Sequence, residues 1–237
     1  MNFLDHYSFR ARLQPALLVL LPLAIGIFAW TWPNVKWGTM LWALFVIAGG
    51  AYLLATLARN LGKEIEPKLW KSWGGAPTTQ LLRYSGTLNP ILRERWHNKL
   101  SKLLEKPFPT KQEESAHPKE SDDIYEAAVK CLITKTRDIK TYNLVYNENV
   151  SYGFCRNLYA MRKIGIIVAL LGTILSGYAG IRFILMDEGY TFYLIPFVCS
   201  AINILFLILW IFKIKSSWVK TSASAYAQRL LETTDNL

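Results

Sequence analysis

The sequence predicts an all-α membrane protein, with four transmembrane helices in two hairpins and a helical cytoplasmic domain between the hairpins. Three observations indicate this fold. Apolar residues collect into four blocks of spanning length, almost every charged residue lies outside those blocks, and no useful stretch alternates as a β-strand does. A soluble domain of 237 residues mixes charged and apolar side chains at helical or strand spacing, whereas this chain separates them.

Each apolar block is long enough to cross a bilayer, since roughly 20 apolar residues span ~30 Å of hydrocarbon. The first block lacks the small-residue cleavage site of a signal peptide, and a second block follows at once. We therefore expect the first block to be retained as a helix. The four predicted spans are residues 13–31, 37–57, 164–183 and 191–212.

These spans divide the chain into four regions. The N-terminal hairpin takes residues 1–57, and the C-terminal hairpin takes residues 164–212. The cytoplasmic domain between them covers residues 58–163, and a cytoplasmic tail covers residues 213–237.

The distribution of Lys and Arg predicts the orientation. Residues 58–163 hold 19 of the 27 Lys and Arg residues, and the turns inside the two hairpins hold almost none. Positive residues are retained on the cytoplasmic side of a membrane. We therefore expect a multi-pass protein of the bacterial inner membrane, in contact with membrane lipids and with both termini in the cytoplasm.

The first part of the cytoplasmic domain is predicted to hold two helices separated by a turn. Residues 58–71 continue the second span as a polar helix, and the Gly-Gly-Ala-Pro run at 74–77 predicts a turn after it. An Asn-Pro pair at 89–90 is typical of a helix start. We expect the helix that begins there to run to about Glu105, with its apolar residues on one face.

The second part begins with a break. Residues 106–120 carry three prolines among Lys, Glu and Ser, which is typical of a linker or flexible loop. A Ser-Asp-Asp run at 121–123 predicts the next helix start, because acidic residues favour the positive end of a helix. We expect that helix to run to about Thr141, and a last helix to lead into the third span.

The sequence carries no motif of an enzyme or of a metal site. It has no nucleophile–base motif, no phosphate-binding loop and no zinc-protease signature. The cysteines and histidines lack ligand spacing, and the odd number of cysteines favours a reducing compartment. We therefore expect a non-enzymatic protein with no catalytic residue, no metal and no cofactor. The residues concerned are Cys131, Cys155, Cys199, His6, His97 and His117.

Small and polar residues mark the third and fourth spans. In lipid, small residues let helices approach closely, and a polar amide needs a hydrogen-bond partner because hydrocarbon supplies none. Two interpretations are open: tight packing within one chain, or the lining of a pore or subunit contact, with Asn203 around a symmetric axis. The candidate residues are Gly172, Ser176, Gly180 and Asn203.

Basic and aromatic residues are interleaved between Lys68 and Lys99. Because Lys and Arg pair with phosphates and flat rings stack on unpaired bases, this stretch predicts a site for an anion or a nucleic acid. The alternative is that the cations attract anionic lipid and the tryptophans pack in a core or anchor at an interface. The candidate ligand-binding residues are Lys68, Trp70, Lys71, Trp73, Arg83, Arg93, Arg95, Trp96 and Lys99.

The run PKLWKSWGGAPTTQLLR at residues 67–83 resembles a bacterial family of small four-span membrane proteins, the membrane effectors of Hailong anti-phage systems. The layout of hairpin, cytoplasmic domain and hairpin is similar across the chain. The resemblance implies a homotetrameric ion channel held closed by single-stranded DNA oligomers, which a partner nucleotidyltransferase makes. Loss of the oligomer during infection would open the pore, depolarise the cell and stop its growth, a form of abortive infection.

Two functions from different classes are therefore expected. The first is an oligomeric membrane effector whose pore is controlled by an anionic ligand on the cytoplasmic domain. The second is a membrane scaffold that recruits a cytoplasmic partner protein through the helix at 91–104, without ion flux or salt-sensitive DNA binding. The scarcity of ionisable residues in the middle of the spans argues against a transporter or a lipid-modifying enzyme.

Overall fold

The computed structural model describes residues 5–32, 37–186 and 190–236, without the side chains of residues 37–47, 190 and 191. The described residues contain no β-strand, so the predicted all-helical class is confirmed for them. The helices are α1 (His6–Thr31, with a π-helical turn at Phe9–Leu13), α2 (Trp37–Trp73), α3 (Pro77–Leu82), α4 (Pro90–Leu104), α5 (Lys111–Ala116), α6 (Pro118–Lys135), α7 (Asn143–Ala160), α8 (Arg162–Leu185), α9 (Tyr190–Phe212) and α10 (Ser216–Glu232), followed by a 3₁₀ turn (Thr233–Asn236).

Three of these helices are long and apolar enough to cross a membrane: α1, α8 and the Phe192–Phe212 part of α9. They correspond to three of the four predicted spans. The other predicted span, residues 37–57, falls in the first half of α2, where the side chains of residues 37–47 lie outside the described residues. The span at residues 37–57 and the pairing of the spans into hairpins therefore stay predictions.

The chain divides into two compact units. The apolar unit comprises Met1–Ile65 and Gly153–Trp218, and the polar unit comprises Glu66–Tyr152 and Val219–Leu237. Most of the tail, which the sequence sets apart as a region of its own, thus belongs to the same unit as the middle of the chain. The chain passes from one unit to the other at three points.

Small residues occupy the contact between α1 and α8, and large apolar side chains cover the outer face of α8. A Cβ added at Gly26 of α1 would lie 3.1 Å from the Cα of Gly172 in α8, so these two backbones are in direct contact. On the outer face of α8, Ile167 and Ile174 are each 58% exposed. This arrangement is expected of helices that pack in lipid, where close backbone approach replaces hydrophobic burial as the source of stability.

The apolar unit also contains a cluster around Trp210 of α9, which is 2% exposed. The indole packs against Gly165 of α8, where any side chain would collide with the ring. Arg162 donates to the carbonyls of Trp210 at 3.0 Å and of Ile211 at 2.8 Å, near the end of α9. These bonds satisfy carbonyls that the end of a helix leaves without an intrahelical donor.

The polar unit has its own apolar core, to which α3, α4, α6, α7 and α10 contribute. The apolar face predicted for α4 supplies Trp96 and Leu100, which are 2% and 0% exposed. Helix α10 adds Leu230 and Leu231, both fully buried. The tail is therefore part of the core of this unit.

Residues 106–120, predicted as a linker or flexible loop, follow a defined path. The ring of Phe108 packs against the ring of His97 with a centroid distance of 5.0 Å. Helix α5 begins with a capping box, in which the side chains of Thr110 and Glu113 each accept the other residue's backbone N–H. The prediction rested on the Lys, Glu and Pro content, whereas the contacts of the segment also include Glu114, which accepts the hydroxyl of Tyr125 at 2.7 Å.

Candidate ligand site in the polar unit

The turn after α2 is the local structure on which the site is built. Gly74 and Gly75 have φ values of +90° and +133°, which residues with a side chain rarely adopt. The N–H of Gly75 donates to the carbonyl of Trp70 at 2.8 Å, and the N–H of Gly74 donates to that of Lys71 at 3.3 Å. This pair of bonds is the Schellman ending of a helix. It terminates α2 at Trp73.

Arg83 holds this turn in place. Its Nη1 donates to the carbonyl of Gly74 at 2.6 Å, and its Nε and Nη2 donate to the two carboxylate oxygens of Asp122 at 2.8 and 2.6 Å. These hydrogen bonds to Asp122 raise the pKa of Arg83 above its ordinary value, so the guanidinium stays charged. A Cβ at Gly75 would lie 2.9 Å from Nη2 of Arg83, which leaves room only for glycine.

A cavity of about 550 Å³ opens beside this turn. Trp73, Gly74 and Arg83 line it together with residues 85–87 and with polar side chains of α10. The volume lies within the roughly 300–1,000 Å³ that is usual for small-molecule sites. The cavity therefore has the size of a ligand site and carries two of the predicted ligand-binding residues.

The polar row that α10 presents to the cavity was not found from the sequence. It consists of Lys220, Ser224 and Gln228, which are spaced by four residues and so share one face of the helix. Lys220 is exposed and forms no ion pair with a described residue. The spacing of four residues between these side chains in the tail is the sequence signal for the row.

Arg93 shapes the connection between α3 and α4 from within the unit. It is 7% exposed, and its two terminal nitrogens donate to the carbonyls of Tyr84, Gly86 and Leu88 at 3.0, 3.2 and 2.7 Å. Gly86 also lines the cavity. Arg93 therefore positions part of the cavity wall, and both of its terminal nitrogens are engaged by the backbone.

Arg95 and Lys99 hold the segment that follows α10. The Nε of Arg95 lies 2.9 Å from a carboxylate oxygen of Asp235. The ammonium of Lys99 donates to the carbonyls of Thr234 and Asp235 at 3.1 and 2.9 Å. In this structure both cations are engaged by the chain itself.

The remaining candidates lie on α2 and in the core. Lys68 and Lys71 are exposed, and Trp70 is half-buried, with an indole nitrogen that has no hydrogen-bond acceptor among the described residues. Trp96 belongs to the core of the polar unit. Of the nine predicted ligand-binding residues, the structure thus brings Trp73 and Arg83 to the cavity.

The four candidate residues of the spans lie inside the apolar unit. All four are buried, and the hydroxyl of Ser176 donates to the carbonyl of Gly172 at 2.7 Å. A Cβ at Gly172 would lie 2.9 Å from Nδ2 of Asn203, and a Cβ at Gly180 would lie 2.9 Å from the ring of Phe197. Within this chain the four residues lie where α8 packs against α1 and α9, and the choice between the two interpretations stays a prediction.

The cavity offers three kinds of contact to a ligand. Lys220 supplies an ammonium for a phosphate or carboxylate, Ser224 supplies a hydroxyl, and Trp73 supplies an indole ring. Gln228 supplies its amide oxygen, since its Nε2 donates to Glu232 at 3.1 Å. No protein-family model, curated protein or solved structure matches the chain. Its function is therefore inferred from these contacts and from the apolar helices.

Proposed function

We propose that the chain is a multi-pass protein of the bacterial inner membrane that assembles into a homo-oligomeric ion channel and is controlled by an anionic ligand. The cavity beside Trp73 is the observation that carries the proposal, because its wall includes Lys220, which has no ion-pair partner in the part of the chain that the structure describes. It occurs in a chain that also has three helices long and apolar enough to cross a membrane. A ligand cavity and membrane-crossing helices in one chain are the parts that a ligand-gated effector needs.

Single-stranded DNA is the proposed ligand. A phosphate suits the ammonium of Lys220, and a base suits the ring of Trp73, because base–aromatic stacking tolerates any sequence. The run at 67–83, which resembles the Hailong effectors, ends at Arg83 and so includes the turn on which the cavity is built. The resemblance also supports a tetramer and a role in anti-phage defence, in which loss of the oligomer opens the pore and depolarises the cell.

The orientation is proposed from charge. Residues 58–163 hold 19 of the 27 Lys and Arg residues, so we place them, the tail and both termini in the cytoplasm. In that orientation the cavity faces the compartment in which the cell's own nucleotidyltransferases act.

The ligand half of the proposal is tested by binding of a fluorescent single-stranded DNA oligomer to the solubilised protein over a range of salt concentrations. Affinity is expected to fall steeply with salt, with a slope of about 0.7 per phosphate contact. Lys220→Gln is expected to weaken binding and to reduce the slope by about that amount. Lys130→Gln, at an exposed position of α6 away from the lining residues, is the matched control and is expected to bind as the wild type does.

The channel half is tested by planar-bilayer recording of the purified protein with and without the same oligomer. We expect conductance in its absence and block in its presence. An absence of conductance under every condition would remove the channel proposal. Equal DNA binding by the Lys220→Gln and Lys130→Gln variants would instead remove the cavity as the ligand site.

A membrane scaffold is the second candidate. The apolar face of α4 that would recruit a partner is largely used by the unit's own core, since Trp96 and Leu100 are buried there. Ile91, at the start of the helix, is 77% exposed and remains available. This function predicts that a protein co-purifies with the chain and is lost in an Ile91→Ser variant, without ion flux or salt-sensitive DNA binding.

A further inference from the structure

A row of polar side chains lies between α8 and α9 in the middle of the apolar unit. Three of them are hydroxyls that donate to α8 carbonyls: Thr173 to Ala169 at 2.8 Å, Ser176 to Gly172 at 2.7 Å, and Ser200 to Thr173 at 3.3 Å. We call Thr173, Ser176, Ser200 and Asn203 the polar seam.

Asn203 differs from the three hydroxyls. It has no exposed surface, and both its Nδ2 and its Oδ1 are buried without a hydrogen-bond partner among the described residues. Hydrocarbon offers neither a donor nor an acceptor, so an amide in that state is strongly unfavourable. Each such group in a folded protein calls for an explanation, and a bound polar molecule is the direct one.

Backbone atoms of α1 and α8 lie close to Asn203. A Cβ at Gly172 would lie 2.9 Å from Nδ2 of Asn203 and would collide with the carbonyl of Pro22 in α1. Pro22 has no N–H, so the carbonyl of Leu18, one turn earlier in α1, lacks its helical donor. Gly172 therefore brings the backbone of α1 close to the amide, and Pro22 leaves one carbonyl of α1 without its helical donor.

We infer that Asn203 binds an ordered water molecule in the middle of the apolar unit, so that the polar seam is a hydrated site within a single chain. Water fits because the amide presents a donor and an acceptor together, and water satisfies both. A bare cation would satisfy only Oδ1, and α1 and α8 contain no Asp or Glu to balance its charge. The inference rests on the membrane part of the proposed function but does not require ion conduction.

Aromatic rings border the seam along α9. On one side Trp210 packs against Gly165, and on the other side Phe197 lies 2.9 Å from the position of a Cβ at Gly180. Water therefore reaches Asn203 through fluctuations of this packing, and its exchange is slower than that of surface water.

The wild-type protein in liposomes provides the first test. Solid-state NMR with ¹⁵N-labelled asparagine measures transfer of magnetisation from water protons to each side-chain amide. Asn157 is the matched dry control, because it is 1% exposed and its Nδ2 donates to the carbonyl of Ala11 at 2.7 Å. Transfer to Asn203 is expected to be at least threefold stronger than transfer to Asn157, and equal weak transfer would overturn the inference.

Thiol accessibility in liposomes provides the second test, in a background with the native cysteines replaced. Asn203→Cys is expected to react with a small methanethiosulfonate at least tenfold faster than Ile202→Cys or Leu205→Cys, because a thiolate forms only where water reaches. The controls are outward-facing positions, 39% and 60% exposed. If all three sites react slowly, the water site is wrong. If all three react quickly, the helix does not lie in the membrane and the proposed function fails instead.

Discussion

At the scale of single residues, the hydrogen-bond and ion-pair partners of a basic side chain decide whether it holds the fold together or remains available to a ligand. Arg93 gives its terminal nitrogens to three carbonyls, Arg83 binds a carboxylate, and Lys220 is exposed on the cavity wall. The sequence alone does not distinguish the roles of these three basic residues. Asp122 is 39 positions from Arg83, so no local pattern links them. The presence of cations near tryptophans could be predicted, but which cation remains available to a ligand could not.

Replacing Arg83 with Lys is expected to destabilise the polar unit by about 1–3 kcal/mol. A single ammonium cannot hold both carboxylate oxygens of Asp122 and the carbonyl of Gly74 at once. Chemical denaturation of the solubilised protein, followed by tryptophan fluorescence, measures the change. Arg137→Lys, at an exposed position, is the control and is expected to stay within about 0.5 kcal/mol of the wild type. Equal stability of the two variants would contradict the role given to Arg83 in holding the turn.

His97 is a second residue whose surroundings set its behaviour. Its Nε2 lies 2.7 Å from the carbonyl of Leu82, so the neutral ring donates through that nitrogen. Burial lowers the pKa of His97 below its ordinary value. The unfolded chain, with a histidine pKa of about 6.5, therefore binds the proton more readily than the folded chain. Stability that is fully present above about pH 6.5 is lost as the pH falls toward the folded pKa.

The expected result is a wild-type protein that is less stable at pH 5 than at pH 7. His97→Gln is expected to show a smaller loss, because the glutamine amide can donate to the same carbonyl but does not titrate. Denaturation curves at the two pH values measure this, with Trp96 in the same core as a reporter. His117→Gln changes a 64% exposed side chain and is expected to keep the wild-type pH dependence. A pH dependence unchanged by His97→Gln would show that another group is responsible.

At the scale of helices, one start was predicted to the residue and another was not, since α6 begins at Pro118, three residues before the predicted start at Ser121. Helix α4 begins at Pro90 as predicted, with the Asn89 side chain accepting the N–H of Ile91 at 2.9 Å. Helix α6 ends at Lys135 and does not reach the expected 141, because the Asp138 carboxylate accepts two following backbone N–H groups and forms a turn. A cap is a local signal and is readable in the sequence, whereas a turn residue inside an apparent helix is easily missed.

Two glycines of α8 provide a matched pair for helix packing. A Cβ at Gly172 would collide with the carbonyl of Pro22, whereas the nearest atom to a Cβ at Gly177 is the hydroxyl oxygen of Ser200 at 3.5 Å. Gly172→Ala is therefore expected to force α1 and α8 apart and to lower the stability by about 1–3 kcal/mol. Gly177→Ala is expected to be neutral or slightly stabilising, since alanine is the better helix former. Unfolding in detergent measures both, and equal effects would contradict the packing described for α8.

At the scale of the whole molecule, the sequence predicted that apolar segments and charged segments would be separate. The two compact units divide the chain in this way, since one contains the apolar helices and the other contains most of the charged residues. The partners of each helix within a unit could not be predicted. Every face of α8 is apolar, so hydrophobic periodicity gives no direction, and the contacts with α1 and α9 depend on where the small residues fall. The contribution of α10 to the core of the polar unit was missed for a similar reason, since Leu230 and Leu231 lie far in sequence from their neighbours.

Whether α2 crosses the membrane decides if the chain has three or four crossings. The two cases differ in whether the N- and C-termini lie on the same side of the membrane. If α2 crosses with α1, α8 and α9, four crossings return the C-terminus to the side of the N-terminus. If only the other three helices cross, the termini lie on opposite sides. In that case residues 58–163 remain in the cytoplasm with the C-terminus only if the N-terminus lies outside. Arg10 and Arg12, which precede the apolar part of α1, favour a cytoplasmic N-terminus and therefore four crossings. A fluorescent protein that matures only in the cytoplasm is expected to fluoresce at either terminus, and fluorescence at one terminus alone would mean that α2 does not cross the membrane.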